Sequence, residues 1–285
     1  MTPVDAPPFA SVPLVLERAR GRAEIGFAQT DGVTRLDRLY QEGQAKIRLP
    51  KSHGGVPPTA VFINTGGGIA GGDRLAWSAD FGPGTRAVVT SQAAERVYRS
   101  SKTDGSLAGE IDNRITVAAG AEAEWLPQET ILFEGAALTR RLEVDVAADA
   151  RLLAVESTVF GRSAMGEEVT ACRLVDRWRL RRAGRLVWAD TFRVEGAARD
   201  ILAGTATGAG ARAFATIVMV APDAEARLDG VREVLETETC GAGASAFDGL
   251  LLVRMADPSA RVLRDALIRT VVHIRQAEMP RVWSC

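Results

Sequence analysis

Beyond residue 60, hydrophobic and polar positions alternate with a period of two along much of the chain. Leu75, Trp77, Ala79 and Phe81 alternate with Ala76, Ser78 and Asp80, and residues 111–117, 138–146, 170–180 and 185–194 repeat the pattern. Alternation of this kind predicts strands with one buried face. Shorter runs at 61–64, 86–91, 123–133, 152–160, 213–220 and 249–255 read as strands too, punctuated by turn signals such as Gly82-Pro83-Gly84 and Ala119-Gly120-Ala121. Arg181-Arg182-Ala183-Gly184 sits between two alternating runs and reads as a hairpin turn. So many strands without interposed helices argue for packed antiparallel sheets rather than a βαβ fold.

Two segments change to a helical period. Leu228, Val231, Val234 and Leu235 predict a helix over 223–236, closed by the glycines at 241–243. Leu263, Leu267, Val271 and Ile274 form one stripe over 258–276, with Asp257 as the expected N-cap and Pro258 in the first turn. Asp265 and Arg269 lie one turn apart on the outer side of that helix. Residues 204–210 read as a loop. The expected fold is mainly β, with stacked or antiparallel strands in a β-helix-like or sandwich body and about two α-helices near the C-terminus. A flexible segment at 1–20 is expected to precede a single β-rich domain at 21–285.

Composition narrows the function classes. With 46% apolar residues the chain can bury a sizeable core, which excludes disorder for most of it. A net charge of −1 leaves no basic excess for a nucleic-acid footprint. No window offers the ~18 uncharged apolar residues of a membrane span. The first 13 residues hold four prolines and no apolar run of a secretory signal, so a cytoplasmic protein is expected. Cys172, Cys240 and Cys285 are odd in number and far apart, fitting neither a disulfide framework nor a zinc pair.

The glycine cluster from Asn64 to Leu75 is the most conspicuous motif. Gly66, Gly68 and Gly71 satisfy GxGxxG, but a dinucleotide site needs a helix to start within the motif. Here a strand pattern follows. The cluster therefore reads as a turn where backbones approach closely, or as a surface that a partner chain can reach.

Nucleophilic catalysis has little support. Gly161-Arg162-Ser163-Ala164-Met165-Gly166 has one residue too many for the GxSxG elbow, and only His53 and His273 are present as bases. A tight transition-metal site lacks the imidazoles and thiolates it would require. Acids on apolar faces are more informative. Strand parity puts Asp190 with Leu186, Trp188, Phe192 and Val194, and Glu129 with Trp125, Ile131 and Phe133. It also puts Glu156 with Leu152, Ala154, Thr158 and Phe160, and Asp176 between Leu174 and Trp178. Each such carboxylate must be paired, protonated or wet. They are expected either in ion pairs or along a water-filled channel between sheets. Trp283, almost at the C-terminus, is expected to dock on its own fold or to anchor a partner.

Five blocks, in order, carry a resemblance: GGIAGGDRL at 67–75, QAAERVYRS at 92–100, WLPQETILFEG at 125–135, GRSAMGE at 161–167, and the terminal 280–283. Together they resemble the UreD (UreH) family of urease accessory proteins, from about Gly21 to the end of the chain. The resemblance implies a non-enzymatic scaffold that joins UreF, and through it the GTPase UreG, on apo-urease during nickel delivery. It also implies a β-rich stack of strands with two helices, enclosing a water-filled tunnel lined partly by acids and hydroxyls. Carried over by position, Ser100, Ser101 and Glu156 fall on this path, with Asp190 a looser match. Together with Glu129 from strand parity, Glu156, Asp190 and Ser100 form the expected transient nickel path. Gly67, Gly68, Gly71, Gly72, Asp73, Arg162, Glu167 and Trp283 are the candidate partner-binding positions. No tightly bound cofactor is expected, only transient nickel. Such a carrier suits oxygen ligands, because three imidazoles would release the ion slowly. Two other readings stay open: a nucleotide-binding oxidoreductase using 66–71, and a β-rich binding module without a metal role.

Overall fold

The computed structural model describes residues 18–51, 56–101, 107–162 and 165–284. His53, Ser163 and Cys285, with the chain before Arg18, lie outside the described residues. In chain order the elements begin with β1 (Arg20–Thr30), β2 (Val33–Gly43), β3 (Ala45–Arg48), β4 (Thr59–Asn64), β5 (Arg74–Phe81) and β6 (Arg86–Ser91). There follow β7 (Glu95–Val97), β8 (Gly109–Val117), β9 (Glu122–Leu126), β10 (Thr130–Leu132), β11 (Ala137–Val146) and β12 (Arg151–Phe160). Next come β13 (Cys172–Arg182), β14 (Arg185–Gly196), α1 (Ala198–Ala203) and β15 (Ala213–Val220). The last are α2 (Leu228–Glu236), β16 (Gly241–Phe247), β17 (Leu250–Asp257), α3 (Ala260–Arg275) and a 3-10 turn at Arg281–Ser284.

These strands form two mixed sheets. One runs β14-β13-β11-β8-β5-β1-β2, the other β16-β17-β15-β12-β9-β6-β4-β3, with β7 and β10 attached to the second beside β12. The expected antiparallel pairing needs correction. The ladders β5–β8, β8–β11 and β11–β13 are parallel, as are β4–β6, β6–β9 and β9–β12. Between β4 and β13 the chain passes from one sheet to the other and back, so a strand of the opposite sheet does the work of a crossover helix. Period-two alternation looks the same in either pairing sense, and this ambiguity hid the parallel ladders. The turns stack in step: Ala118 N–H donates to Phe81 O, Ala147 N–H to Val117 O and Ala183 N–H to Val146 O, at 2.9, 2.8 and 2.9 Å. Antiparallel pairs close the ends at β1–β2, β3–β4, β13–β14 and β12–β15–β17–β16.

Central β12 is buried along nearly its whole length and separates two cores. Its even positions Leu152, Ala154 and Phe160 join Leu75, Trp77, Trp125, Leu142, Leu174 and Trp178 between the sheets. Its odd positions Leu153, Val155 and Val159 face Leu263, Leu267, Val271 and Ile274 of α3, together with Val231 and Leu235 of α2. The apolar stripe read from the sequence is thus the buried face of α3. Its N-cap is Ser259, whose side chain accepts from Val262 N–H, while Asp257 closes β17 and accepts from Ser259 N–H. Arg269 pairs with Glu238 rather than with Asp265, which lies 4.0 Å from Arg261. The hairpin turn narrows to Ala183-Gly184, both at positive φ. Among the described residues no helix is long and apolar enough to cross a membrane.

Candidate functional site

The inward face of β11 reads Leu138, Arg140, Leu142, Val144, so an arginine occupies a position that parity assigns to the inter-sheet core. It is 4% exposed. Side chains from three other strands meet its guanidinium. Asp176, its register partner on β13, accepts from Nε at 3.0 Å and Nη2 at 2.5 Å. Thr130 Oγ1 on β10 accepts at 2.9 Å and Thr158 Oγ1 on β12 at 3.3 Å. Glu156, on β12 in the opposite sheet, lies 3.1 Å away through Oε2 and accepts from Asn113 Nδ2 at 3.2 Å through Oε1. Burial pushes the Glu156 carboxyl up to about 7, and the Arg140 charge only partly offsets this. Two carboxylates drive the Arg140 pKa still higher, so it keeps its proton.

This cluster stands between two cavities and lines both. The first, about 250 Å³, is walled by Phe62, Trp77 and Trp125 and reaches the surface past Asn64, Gly67 and Glu95. The second, about 330 Å³, extends past Trp178 and Phe192 to Asp190, Arg254 and the Gly241-Ala242 edge of β16. Three buried polar atoms beside the first cavity lack a hydrogen-bond partner: Asn113 Oδ1, Trp125 Nε1 and Glu156 Oε2. The Arg140 Nε–H is used by Asp176, which leaves Glu156 Oε2 close to it without a bond. Unpaired polar atoms beside space for several water molecules make a setting that binds water. At the entrance, burial pushes Glu95 up to about 7, and Asn64 Nδ2 holds it at 3.0 Å.

The parity-selected acids divide. Glu156, Asp176 and Asp190 face the space between the sheets, where Asp190 pairs with Arg254 across to β17 at 2.7 Å. Leu186 leaves that face, because a bulge at Leu180/Arg181 shifts the β13–β14 register. Glu129 is a correction. The expected single strand over 123–133 breaks after Leu126, where Pro127 cannot donate to a ladder, and Glu129 turns toward α3 to pair with Arg264 at 2.5 Å. Ser100 also lies apart from both cavities. It is buried beside Gly71 and donates to Leu107 O at 2.8 Å. Among the described residues no group of three His, Cys, Asp or Glu comes together to hold a metal. Parity of the acids alone does not reveal Arg140 or Glu95, yet Arg140 breaks apolar parity as visibly as the acids do.

The candidate partner-binding positions are mostly engaged by the fold itself. No helix starts in the glycine segment. Instead Ile69 bridges to Val97, with Ile69 N–H donating to Arg96 O and Tyr98 N–H to Ile69 O, both at 2.7 Å. A Cβ on Gly68 would stand 2.3 Å from the Tyr98 ring, and one on Gly71 2.3 Å from Leu107 O. Asp73 is buried and accepts from Ala19 and Ala70 N–H. Gly67 is exposed and Gly72 half-buried. Arg162 and Glu167 form a two-pronged ion pair at 2.8 and 3.0 Å, which holds the Glu167 carboxyl down at about 2. Trp283 is buried, donates to Thr90 Oγ1 and Leu126 O at 3.2 Å, and carries the Arg264 guanidinium 4.6 Å above its ring. Its indole is committed to the chain's own core.

The described interior is thus a polar cluster set between two cavities of a β-rich body. The family model described as UreD urease accessory protein matches residues 19–284. The chain is 45% identical to the urease accessory protein UreD of Rhizobium leguminosarum bv. viciae, over 94% of this chain and 96% of the relative. The UreD of Chelativorans sp. (strain BNC1) matches equally, at 45% over 95% and 96%. A protein named UreD 2 of Methylorubrum populi is 46% identical over 92% and 87%. The chain belongs to the UreD family of urease accessory proteins, and its role lies in urease maturation.

Proposed function

We propose that this protein is a non-enzymatic, cytoplasmic scaffold that joins UreF, and through it UreG, on apo-urease and passes nickel inward through its own body. The observation that carries the reading is the meeting of two cavities at Glu156 and Arg140, with unpaired polar atoms beside them. Nickel is cargo here. Side-chain oxygens along the route include those of Glu95, Thr130, Glu156, Thr158, Asp176 and Asp190, with no imidazole or thiolate among the described lining residues. Oxygen ligands, several of them already engaged by arginine, hold a divalent ion briefly, as transfer requires. The proposed route leaves out Ser100, bonded to Leu107 O, and Glu129, paired with Arg264.

The test is a Glu156→Gln/Asp190→Asn double variant co-expressed with urease and its accessory proteins. Urease activity and bound nickel should fall several-fold, while UreF and apo-urease still co-purify with the variant. Unchanged nickel loading would overturn the route, and loss of co-purification would make these acids structural.

A further inference from the structure

The motif blocks at 67–75, 92–100, 125–135 and 161–167 converge on one surface. There the Tyr98 hydroxyl donates to Gly67 O at 3.1 Å, and its ring meets Phe133 edge-on at 5.3 Å. The Arg162 guanidinium lies 4.2 Å from the other ring of that pair, Phe133. Four side chains here stand open to solvent. Tyr98 is 38% exposed and Met165 76%, and Arg96 and Arg99 are both exposed. Neither Arg96 nor Arg99 has an ion pair among the described residues, whereas Arg162 is neutralised by Glu167. Burial pushes the carboxyl of the adjoining Glu95 up to about 7, so it offers Arg96 at most a partial charge at neutral pH.

We infer that Arg96, Tyr98, Arg99 and Met165 form a docking surface for an acidic segment of a protein partner within the urease-maturation assembly. The inference rests on the function proposed above and deepens it. Three physical features select this occupant. The exposed ring is locked between a backbone carbonyl and a second aromatic, so it offers contact area at little entropic cost, and tyrosine and arginine dominate interface energetics. The two guanidiniums, exposed and without an ion pair among the described residues, call for carboxylates rather than for another apolar face. The surface is continuous with the mouth of the first cavity, which Arg96 and Gly67 also line, so a segment seated there would lie over the entrance.

The experiment uses the full chain, with purified apo-urease and purified UreF–UreG complex offered separately. Arg96→Glu/Arg99→Glu should weaken capture of one of the two on the order of tenfold or more, with the thermal melt unchanged. Tyr98→Ala should weaken the same capture, and Tyr98→Phe, which keeps the ring, should not. Arg96→Gln/Arg99→Gln should flatten the salt dependence of wild-type capture. Unaltered capture of both partners by the charge-reversed chain would overturn the inference. So would an equal loss of binding to a control DNA duplex, which would mark a non-selective anion surface, or a change in self-association alone. Failure of the wild-type chain to capture either partner would sink the proposed function itself, a separate outcome.

Discussion

The two faces of β12 border very different interiors. On one side the inter-sheet layer holds Arg140, Glu156 and Asp176, three polar atoms without a hydrogen bond and two cavities. On the other, sheet and helices enclose an apolar layer, where a cavity beside Glu129 and Arg264 measures about 20 Å³. That layer is closed at its end by Trp283, with Gln128 donating to Val282 O and Arg264 to Trp283 O, both at 3.1 Å. One strand therefore borders a charged interior with cavities and an apolar one within the same ten residues. A closely packed core can supply the stability that a polar passage consumes, since unpaired buried polar groups cost on the order of 1–3 kcal/mol each.

The contrast can be broken from either side. The largest effect is expected from Arg140→Met, which strands Asp176 and Glu156 without a counter-charge. It should cost about 3–5 kcal/mol in denaturant melts, and a negligible loss would show that these acids are held neutral or solvated. Leu267→Ala on the dry side should cost about 3 kcal/mol. The two losses should add within roughly 0.5 kcal/mol, because the residues occupy separate cores. Marked non-additivity in the double variant would mean the cores are mechanically one.

A subtler probe is pH. Glu156 and Glu95 sit near 7 against an ordinary 4.5, so between those values the folded chain holds protons that the unfolded chain has released. The part of stability due to these groups is full below pH 4.5 and falls as pH rises to about 7. Glu156→Gln and Glu95→Gln should each flatten that slope, measured by melts across pH 4–8. The smallest effect belongs to Glu167→Gln, whose partner is about half exposed. A loss of at most about 1 kcal/mol is expected. Because the native Glu167 carboxyl is held near 2, its contribution is present above 4.5 and disappears as pH falls toward 2.

The sequence made the β class, the hairpin at Ala183-Gly184 and both C-terminal helices legible, because each rests on local periodicity or turn chemistry. It concealed β1 to β3. Strand β2 is exposed nearly throughout, so residues 33–43 carry no alternation to detect. Strand β16 hid in the glycines and alanines of 241–246, which read as a helix stop. Parity placed Glu156, Asp176 and Asp190 facing inward, as found, but failed for Glu129 once Pro127 broke the strand. Arg140 among Leu138, Leu142 and Val144 is the same anomaly with opposite sign, a cation that parity sends into the core.

The back-and-forth passage of the chain between sheets bears on its biosynthesis. A nascent chain threaded this way grows by accretion, each new turn of the coil covering the one before and presenting two fresh unpaired edges. Those edges persist until β14 to β17 leave the ribosome, and the helical layer closes only when the final residues bring Trp283 into place. Aggregation during synthesis, rather than fragility of the finished molecule, is then the main hazard this architecture imposes.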